Sequence, residues 1–264
     1  MDIFKRNLAP ISDEAWDEID SQAKEILKST LTARKFTDLD GPKGADFGAV
    51  SLGRIKLPKG NKKDELAFGV HQVLPLVEVR IPFQLDVWEL DNISRGAKDP
   101  DLEPLEKAAA EIARFEDRAI YFGLKEAQIS GLKESSANKM MKCPQNLKEA
   151  ACNIPQAIRL LKENAIEGPY TLITSAAQWE DIIGYEHGYP LRKQLKEIMD
   201  GEIVLCPHIE GMFLVSNRGG DFSLTLGMDL SIGYESHDSK NVKLYLTESF
   251  TFQVLEPKAV VVFE

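Results

Sequence analysis

The sequence lacks the long apolar segment that a membrane span requires. No run of about 18 apolar residues occurs among its 264 residues. The first ten residues, from Met1 to Pro10, contain no apolar signal core. We therefore expect no membrane partner and a protein that stays in the compartment where it is made.

Cysteine is scarce as well. Cys143, Cys152 and Cys206 are the only cysteines in the sequence. An odd number without paired spacing argues against a disulfide framework and fits a reducing compartment. We expect three thiols and a cytoplasmic location.

Positive charge is in deficit. The chain has 32 Lys and Arg residues against 42 Asp and Glu residues, which gives a net charge of −10. Its basic clusters, such as Lys5-Arg6 and Arg34-Lys35, are short and scattered. Because binding to phosphate backbones depends on clustered basic side chains, we expect no nucleic-acid partner.

The strong local signatures of catalysis are absent. The sequence contains no P-loop, no G-x-S-x-G, no H-E-x-x-H and no paired C-x-x-C. Cys206-Pro-His208 looks like a ligand pair, but two ligands one residue apart are a weak zinc signal, and a strand end explains them better. Gly219-Gly220 favours a tight hairpin over a phosphate cradle. We expect no catalytic residue and no metal site.

What the sequence does contain is a strand of unusual length. Apolar and polar residues alternate from Val242 to Val254, and at about 3.3 Å per residue this strand would extend roughly 40 Å. Glu248 is the only break in its apolar face. A buried carboxylate is costly unless it is paired, so we expect Glu248 to lie at a junction with a basic partner.

The remaining patterns mix helices and strands. Ser12 is a predicted N-cap for an N-terminal helix, and a longer helix is predicted from Asp101 to Phe122. A second long strand is predicted from Val77 to Trp88, at a sheet edge because it contains Pro82. The segment 53–69 is typical of an exposed hairpin arm. These elements predict an α+β fold.

Several segments in order closely resemble the encapsulin shell proteins. They are Leu8-Ala-Pro10, Trp16, Arg34-Lys-Phe36, Asp38, Gly41-Pro42, Trp88-Glu-Leu-Asp-Asn92, Phe115-Glu-Asp117, Glu167-Gly-Pro-Tyr170, Arg218-Gly-Gly-Asp-Phe222, Asp229-Leu-Ser-Ile-Gly-Tyr234 and Glu248-Ser-Phe-Thr-Phe-Gln253. The family shares the fold of tailed-phage major capsid proteins.

The resemblance implies a division of the chain into capsid-like parts. Residues 1–45 correspond to an N-terminal helix and extended turn on the inner wall, and residues 46–75 to an extended loop arm. Residues 76–153 and 223–264 correspond to a peripheral domain with a spine helix at 101–122. Residues 154–222 correspond to an axial domain.

For function, the resemblance implies a cytoplasmic icosahedral shell, with no catalysis of its own, that encloses a cargo enzyme. The cargo is a ferritin-like iron-storage protein or a dye-decolorising peroxidase, and it carries a terminal targeting peptide. Without insertions, the chain is expected to form the smallest icosahedral particle, of about 60 subunits.

Site residues follow from the resemblance by position. The peptide groove would involve Leu27, Leu31, Arg34, Asp38, Leu230 and Ile232. Glu186, His187 and Tyr189 would line a pore. No cofactor is required, although some relatives carry a flavin at the tryptophan matching Trp88, with Arg80 nearby on the strand.

Two other functions compete with this interpretation. A viral or prophage capsid protein would package nucleic acid, and the acidic net charge argues against it. The second and weaker alternative is a peptidase. Proteolytic activity that survives in shells without cargo would support it.

Overall fold

The computed structural model describes residues 3–57, 68–183 and 190–264. They form helices and strands in mixed order, which confirms the α+β class. The helices are α1 Asp13–Thr30, α2 Val87–Ser94, α3 Glu103–Phe122, α4 Leu132–Ser135, α5 Leu147–Glu163, α6 Ala176–Ile183 and α7 Leu191–Met199. The strands are β1 Asp38–Asp40, β2 Ala49–Lys56, β3 Val70–Pro75, β4 Val77–Asp86, β5 Tyr170–Thr174, β6 Ile203–Leu205, β7 Met212–Ser216, β8 Phe222–Leu226, β9 Ser231–His237, β10 Asn241–Val254 and β11 Val260–Phe263.

Strand β10 is the centre of the larger sheet. It has 14 residues, which confirms the predicted long strand. Antiparallel β4 runs along one side of it, while β9 and β8 share the other side. The sheet order is β1-β8-β10-β4, with β9 also on β10. Strand β4 is thus an edge strand, as Pro82 predicted, where a missing N–H is tolerated.

Helices α1 and α3 cover this sheet with their apolar stripes. Ser12 Oγ accepts a hydrogen bond from Ala15 N at 3.2 Å and so caps α1. Gln22 of α1 donates to Glu106 of α3 at 2.8 Å. Helix α3 ends at Gly123, whose φ of +89° favours glycine. One buried cluster joins both helices to β4, β9 and β10.

The second sheet has four strands in the order β11-β7-β5-β6. Helices α5, α6 and α7 pack beside it. Strand β11, near the end of the chain, pairs with β7, so residues 260–263 lie with the part predicted as the axial domain. A buried cluster containing Leu172, Phe213 and Phe252 is continuous between the two sheets.

Two local predictions were wrong. The segment beginning at Val87 is helix α2 and does not extend the strand, because the Asp86 carboxylate accepts from Trp88 N at 2.7 Å and starts a helix. Gly219-Gly220 does not form a hairpin, because β7 and β8 belong to different sheets. Both glycines have positive φ, and Gly220 N donates to Asp38 Oδ2 at 2.6 Å.

Strands β2 and β3 form a separate antiparallel ribbon. Leu74 is the one buried side chain within these two strands. Residues 58–67 of the predicted arm lie outside the described residues. The ribbon therefore contributes little apolar burial within one subunit.

Candidate functional site

A groove with a volume of about 920 Å³ lies beside α1. Its walls come from α1, from the residues after α1 and from the start of β9. The apolar residues lining it are Phe4, Ala23, Leu27, Leu31, Leu230, Ile232 and Leu246. A concave apolar surface of this size is typical of ligand-binding sites in proteins.

Sequence spacing explains how these side chains converge. Ala23, Leu27 and Leu31 follow one another at four-residue steps, so they share one face at the end of α1. Ile232 of β9 pairs in register with Leu246 of β10. The N-terminal segment is held against β9 because Tyr234 N donates a hydrogen bond to Phe4 O at 2.8 Å.

Basic side chains dominate the rim of the groove. The charged lining residues are Arg6, Asp20, Lys24, Lys28, Arg34, Lys35 and Asp229. Both acids are paired within the chain, Asp20 with Arg6 at 2.7 Å and Asp229 with Arg34 at 2.9 Å. The three lysines are exposed. The rim therefore presents net positive charge to a ligand.

Arg34 is the centre of a cluster of charged groups at one end of the groove. Its guanidinium lies 2.5 Å from Glu116 Oε2, 3.1 Å from Glu248 Oε2 and 2.9 Å from Asp229 Oδ1. Glu116 and Glu248 are fully buried, whereas the Arg34 side chain is 15% exposed. The cluster confirms the prediction that Glu248 has a basic partner.

Burial and neighbouring charge shift the pKa values of the cluster. Burial raises the pKa of Glu248 well above its ordinary value, and the charge of Glu116 adds to the increase while Arg34 opposes it. Burial also raises the pKa of Glu116. For Arg34, burial opposes the charged form, but hydrogen bonds and the charges of Glu116 and Glu248 outweigh it and raise the pKa. The guanidinium stays charged.

Five of the six predicted groove residues line the groove: Leu27, Leu31, Arg34, Leu230 and Ile232. Asp38 is not among the lining residues, and its carboxylate accepts from Gly220 N. Sequence reasoning missed Lys24, Lys28 and Lys35. The four-residue step between Lys24 and Lys28, beside Leu27, is the signal that could have identified these two lysines.

The other predicted site residues are not brought together by the described structure. Glu186, His187 and Tyr189 lie within 184–189, outside the described residues. The Trp88 side chain is 68% exposed, and the Arg95 guanidinium lies 5.5 Å from its ring centroid. Arg80 lies 4.2 Å from the ring centroid of Tyr245 instead. A flavin at Trp88 and Arg80 stays a prediction.

A second polar cluster lies outside the lining of the groove. Asp117 of α3 meets Cys206 and His208, which follow β6. Burial and the charge of Asp117 raise the pKa of the Cys206 thiol to about 12. A thiol with this pKa is protonated near neutral pH and is a poor nucleophile. The triad therefore gives no support to a cysteine peptidase.

Comparison with known proteins extends these observations. The sequence model of a family described as "Encapsulating protein for peroxidase" matches residues 1–251. A type 1 encapsulin shell protein of Rhodococcus erythropolis is 42% identical over 257 residues, covering 97% of each chain.

Solved structures show the same fold. The virus-like particle protein of Pyrococcus furiosus matches with a TM-score of 0.68 and 19% identity, over 94% of this chain and 98% of that one. The capsid protein of Myoviridae phage XM1 matches with a TM-score of 0.54 and 12% identity, over 89% and 92% of the two chains. The fold is that of tailed-phage capsid proteins.

The capsid-like fold and the match to encapsulin shell proteins together place the chain in the class of compartment-forming shell proteins. The chain belongs to the encapsulin shell-protein family. Its relatives are structural shell proteins and not enzymes, in agreement with the absence of catalytic motifs from the sequence. None of the helices described is long and apolar enough to cross a bilayer.

Proposed function

We propose that the groove binds a targeting peptide at the terminus of a cargo enzyme, within a cytoplasmic icosahedral shell of about 60 copies of this chain. The observation that carries this proposal is the convergence of Leu27, Leu31, Leu230 and Ile232 on one groove. The pair Leu27 and Leu31 is far from the pair Leu230 and Ile232 in the sequence, and the fold brings the two pairs together on one apolar surface.

The chemistry of the groove specifies its peptide. Apolar side chains of the peptide would pack against the apolar residues that line the groove, and their burial would supply affinity. Acidic side chains or a terminal carboxylate would face Lys24, Lys28 and Lys35, which supplies orientation. Many grooves on one wall would add avidity for an oligomeric cargo.

A peroxidase or a ferritin-like iron-oxidising protein is the proposed cargo. The description of the matching family names a peroxidase, which supports the first of these. Ions and small substrates would have to reach such a cargo through openings in the shell. We propose Glu186, His187 and Tyr189 as lining residues of one opening, where a ring of carboxylates favours cations.

Co-expression tests the groove. The shell protein is produced with a peroxidase or ferritin-like protein from the same genome, with and without its C-terminal tail, and the particles are isolated by sedimentation. We expect cargo in the particles only when the tail is present. Leu230→Asp, at a half-buried position, should empty the particles, while Leu255→Asp, at an exposed position outside the groove, should leave them filled. Equal filling of both variants would contradict the proposal.

A further inference from the structure

Asp117, Cys206 and His208 form a compact set of three different metal-ligating groups. Asp117 Oδ2 lies 3.0 Å from His208 Nε2 and 3.8 Å from Cys206 Sγ, and the Sγ to Nε2 distance is 3.2 Å. In tetrahedral zinc sites, metal–ligand bonds of about 2.0–2.3 Å place ligand atoms about 3.3–3.6 Å apart. The three distances bracket that range, so small side-chain shifts would complete the geometry.

We propose that these three residues bind a divalent transition metal of the zinc class, with a water molecule as the fourth ligand. The donor set is sulfur, imidazole nitrogen and carboxylate oxygen, all of which Zn²⁺ accepts. The ion would replace the hydrogen bond between His208 and Asp117. Cys206 would bind as the thiolate and release one proton to solvent.

Charge balance supports a divalent ion. Asp117 and Cys206 are both fully buried. A carboxylate, a thiolate and a neutral imidazole together carry two negative charges, which a divalent cation neutralises. A neutral site removes the desolvation penalty that an isolated buried charge would meet. The His208 side chain is 14% exposed and provides a route from solvent.

The surroundings orient the carboxylate as a ligand. Ala33 N donates to Asp117 Oδ1 at 2.9 Å, and Thr32 Oγ1 donates to Oδ2 at 2.6 Å. Tyr121 Oη lies 2.9 Å from the Thr32 hydroxyl and extends this chain of hydrogen bonds. Such outer contacts are the ones that fix ligand orientation in metal sites. Thr32 N also donates to both carboxylate oxygens, at 3.2 Å to Oδ1 and 3.0 Å to Oδ2, and Oδ2 is the oxygen that contacts Cys206 and His208.

The site would connect parts of the fold that are distant in sequence. Asp117 belongs to α3, Cys206 and His208 follow β6 of the second sheet, and Thr32 follows α1. A bound ion would therefore join the long helix to the second sheet. Because the ion would bind the folded chain in preference to the unfolded chain, it would raise the melting temperature.

Titration with Co²⁺ tests the proposal on assembled, cargo-free shells that have been stripped with chelator under reducing conditions. We expect one Co²⁺ per subunit, with a sulfur-to-cobalt charge-transfer band and the visible bands of a tetrahedral ion. Added Zn²⁺ should displace the cobalt and raise the melting temperature.

Variants decide whether the cluster is the site. His208→Gln and Cys206→Ser should each lose the charge-transfer band and the thermal shift. His71→Gln and Cys152→Ser alter exposed residues and should keep both. Size-exclusion chromatography confirms that the variants assemble. Wild-type shells that give no charge-transfer band, or a band that persists in both cluster variants, would overturn the proposal.

Discussion

Arg34 donates a hydrogen bond to Glu248 at 3.1 Å although 214 positions separate them in the sequence. Glu248 interrupts the apolar face of β10, the central strand of the larger sheet. Arg34 follows α1 and also lines the groove. The contact therefore links the stability of the sheet to the shape of the groove.

Arg34→Ala is expected to destabilise the subunit. The substitution leaves Glu116 and Glu248 buried without their cation, and breaking a buried pair in this way costs about 3–5 kcal/mol. For a chain of this size that corresponds to a fall in melting temperature on the order of 10 °C. Calorimetry of assembled shells measures it. Lys35→Ala, at the exposed neighbouring position, is the control and should melt like the wild type; equal melting temperatures for the two variants would refute the structural role of Arg34.

Glu248→Gln is expected to flatten the dependence of stability on pH. The pKa of Glu248 is raised in the folded chain from an ordinary value of 4.5. Above pH 4.5 the unfolded chain releases a proton that the folded chain still holds, so stability falls as pH rises toward the folded-state pKa. Glutamine keeps the shape and has no proton to release.

Melting temperatures measured between pH 4.5 and pH 8 check this expectation. Glu116, whose pKa is also raised, should leave a residual slope in the variant. Glu235→Gln removes an exposed carboxylate paired with Lys243 and should keep the wild-type slope. Parallel curves for wild type and Glu248→Gln would show that Glu248 releases its proton at its ordinary pKa.

Much of the fold could be predicted from periodicity. The alternation of apolar and polar residues around Glu248 predicted the long strand. The three- and four-residue steps between Leu105 and Phe122 predicted the long helix. These signals are local, because one buried face repeats along one element. The helix starting at Val87 was not predicted. Its N-cap residue, Asp86, is also a residue type that commonly ends a strand.

The charged partners could not be predicted in the same way. Glu248 required a basic partner, but no sequence pattern identifies Arg34 among the 32 basic residues. Asp117 likewise joins Cys206 and His208 only through the packing of α3 on the second sheet. Contacts of this range depend on tertiary packing, which local periodicity does not encode.

Lys28→Glu is expected to weaken binding of the cargo's targeting peptide without affecting assembly. The substitution reverses one charge on the rim of the groove, where Lys24 and Lys35 are the neighbouring cations. At low salt we expect affinity for an acidic targeting peptide to fall about threefold to tenfold, and less at high salt because exposed charges are screened. Fluorescence anisotropy with a labelled synthetic tail peptide measures the change. Lys148→Glu on α5, away from the groove, controls for net charge, and the same loss in both variants would rule out a direct contact at Lys28.

Val73→Asp is expected to prevent shell assembly while leaving the subunit folded. Val73 lies on the β2–β3 ribbon and is 47% exposed, and Ile55, Leu57 and Val70 on the same ribbon and its edge are also exposed. An apolar ribbon with so little burial within one subunit is suited to packing against a second copy. A carboxylate at its centre would remain solvated in the free subunit but would be buried on assembly.

Analytical ultracentrifugation of Val73→Asp should show small species, and circular dichroism should show that they are folded like the wild type. Gln72→Asp, at the adjacent exposed position, is the control and should still form particles. Particles of Val73→Asp at wild-type yield would show that the ribbon is not an assembly surface.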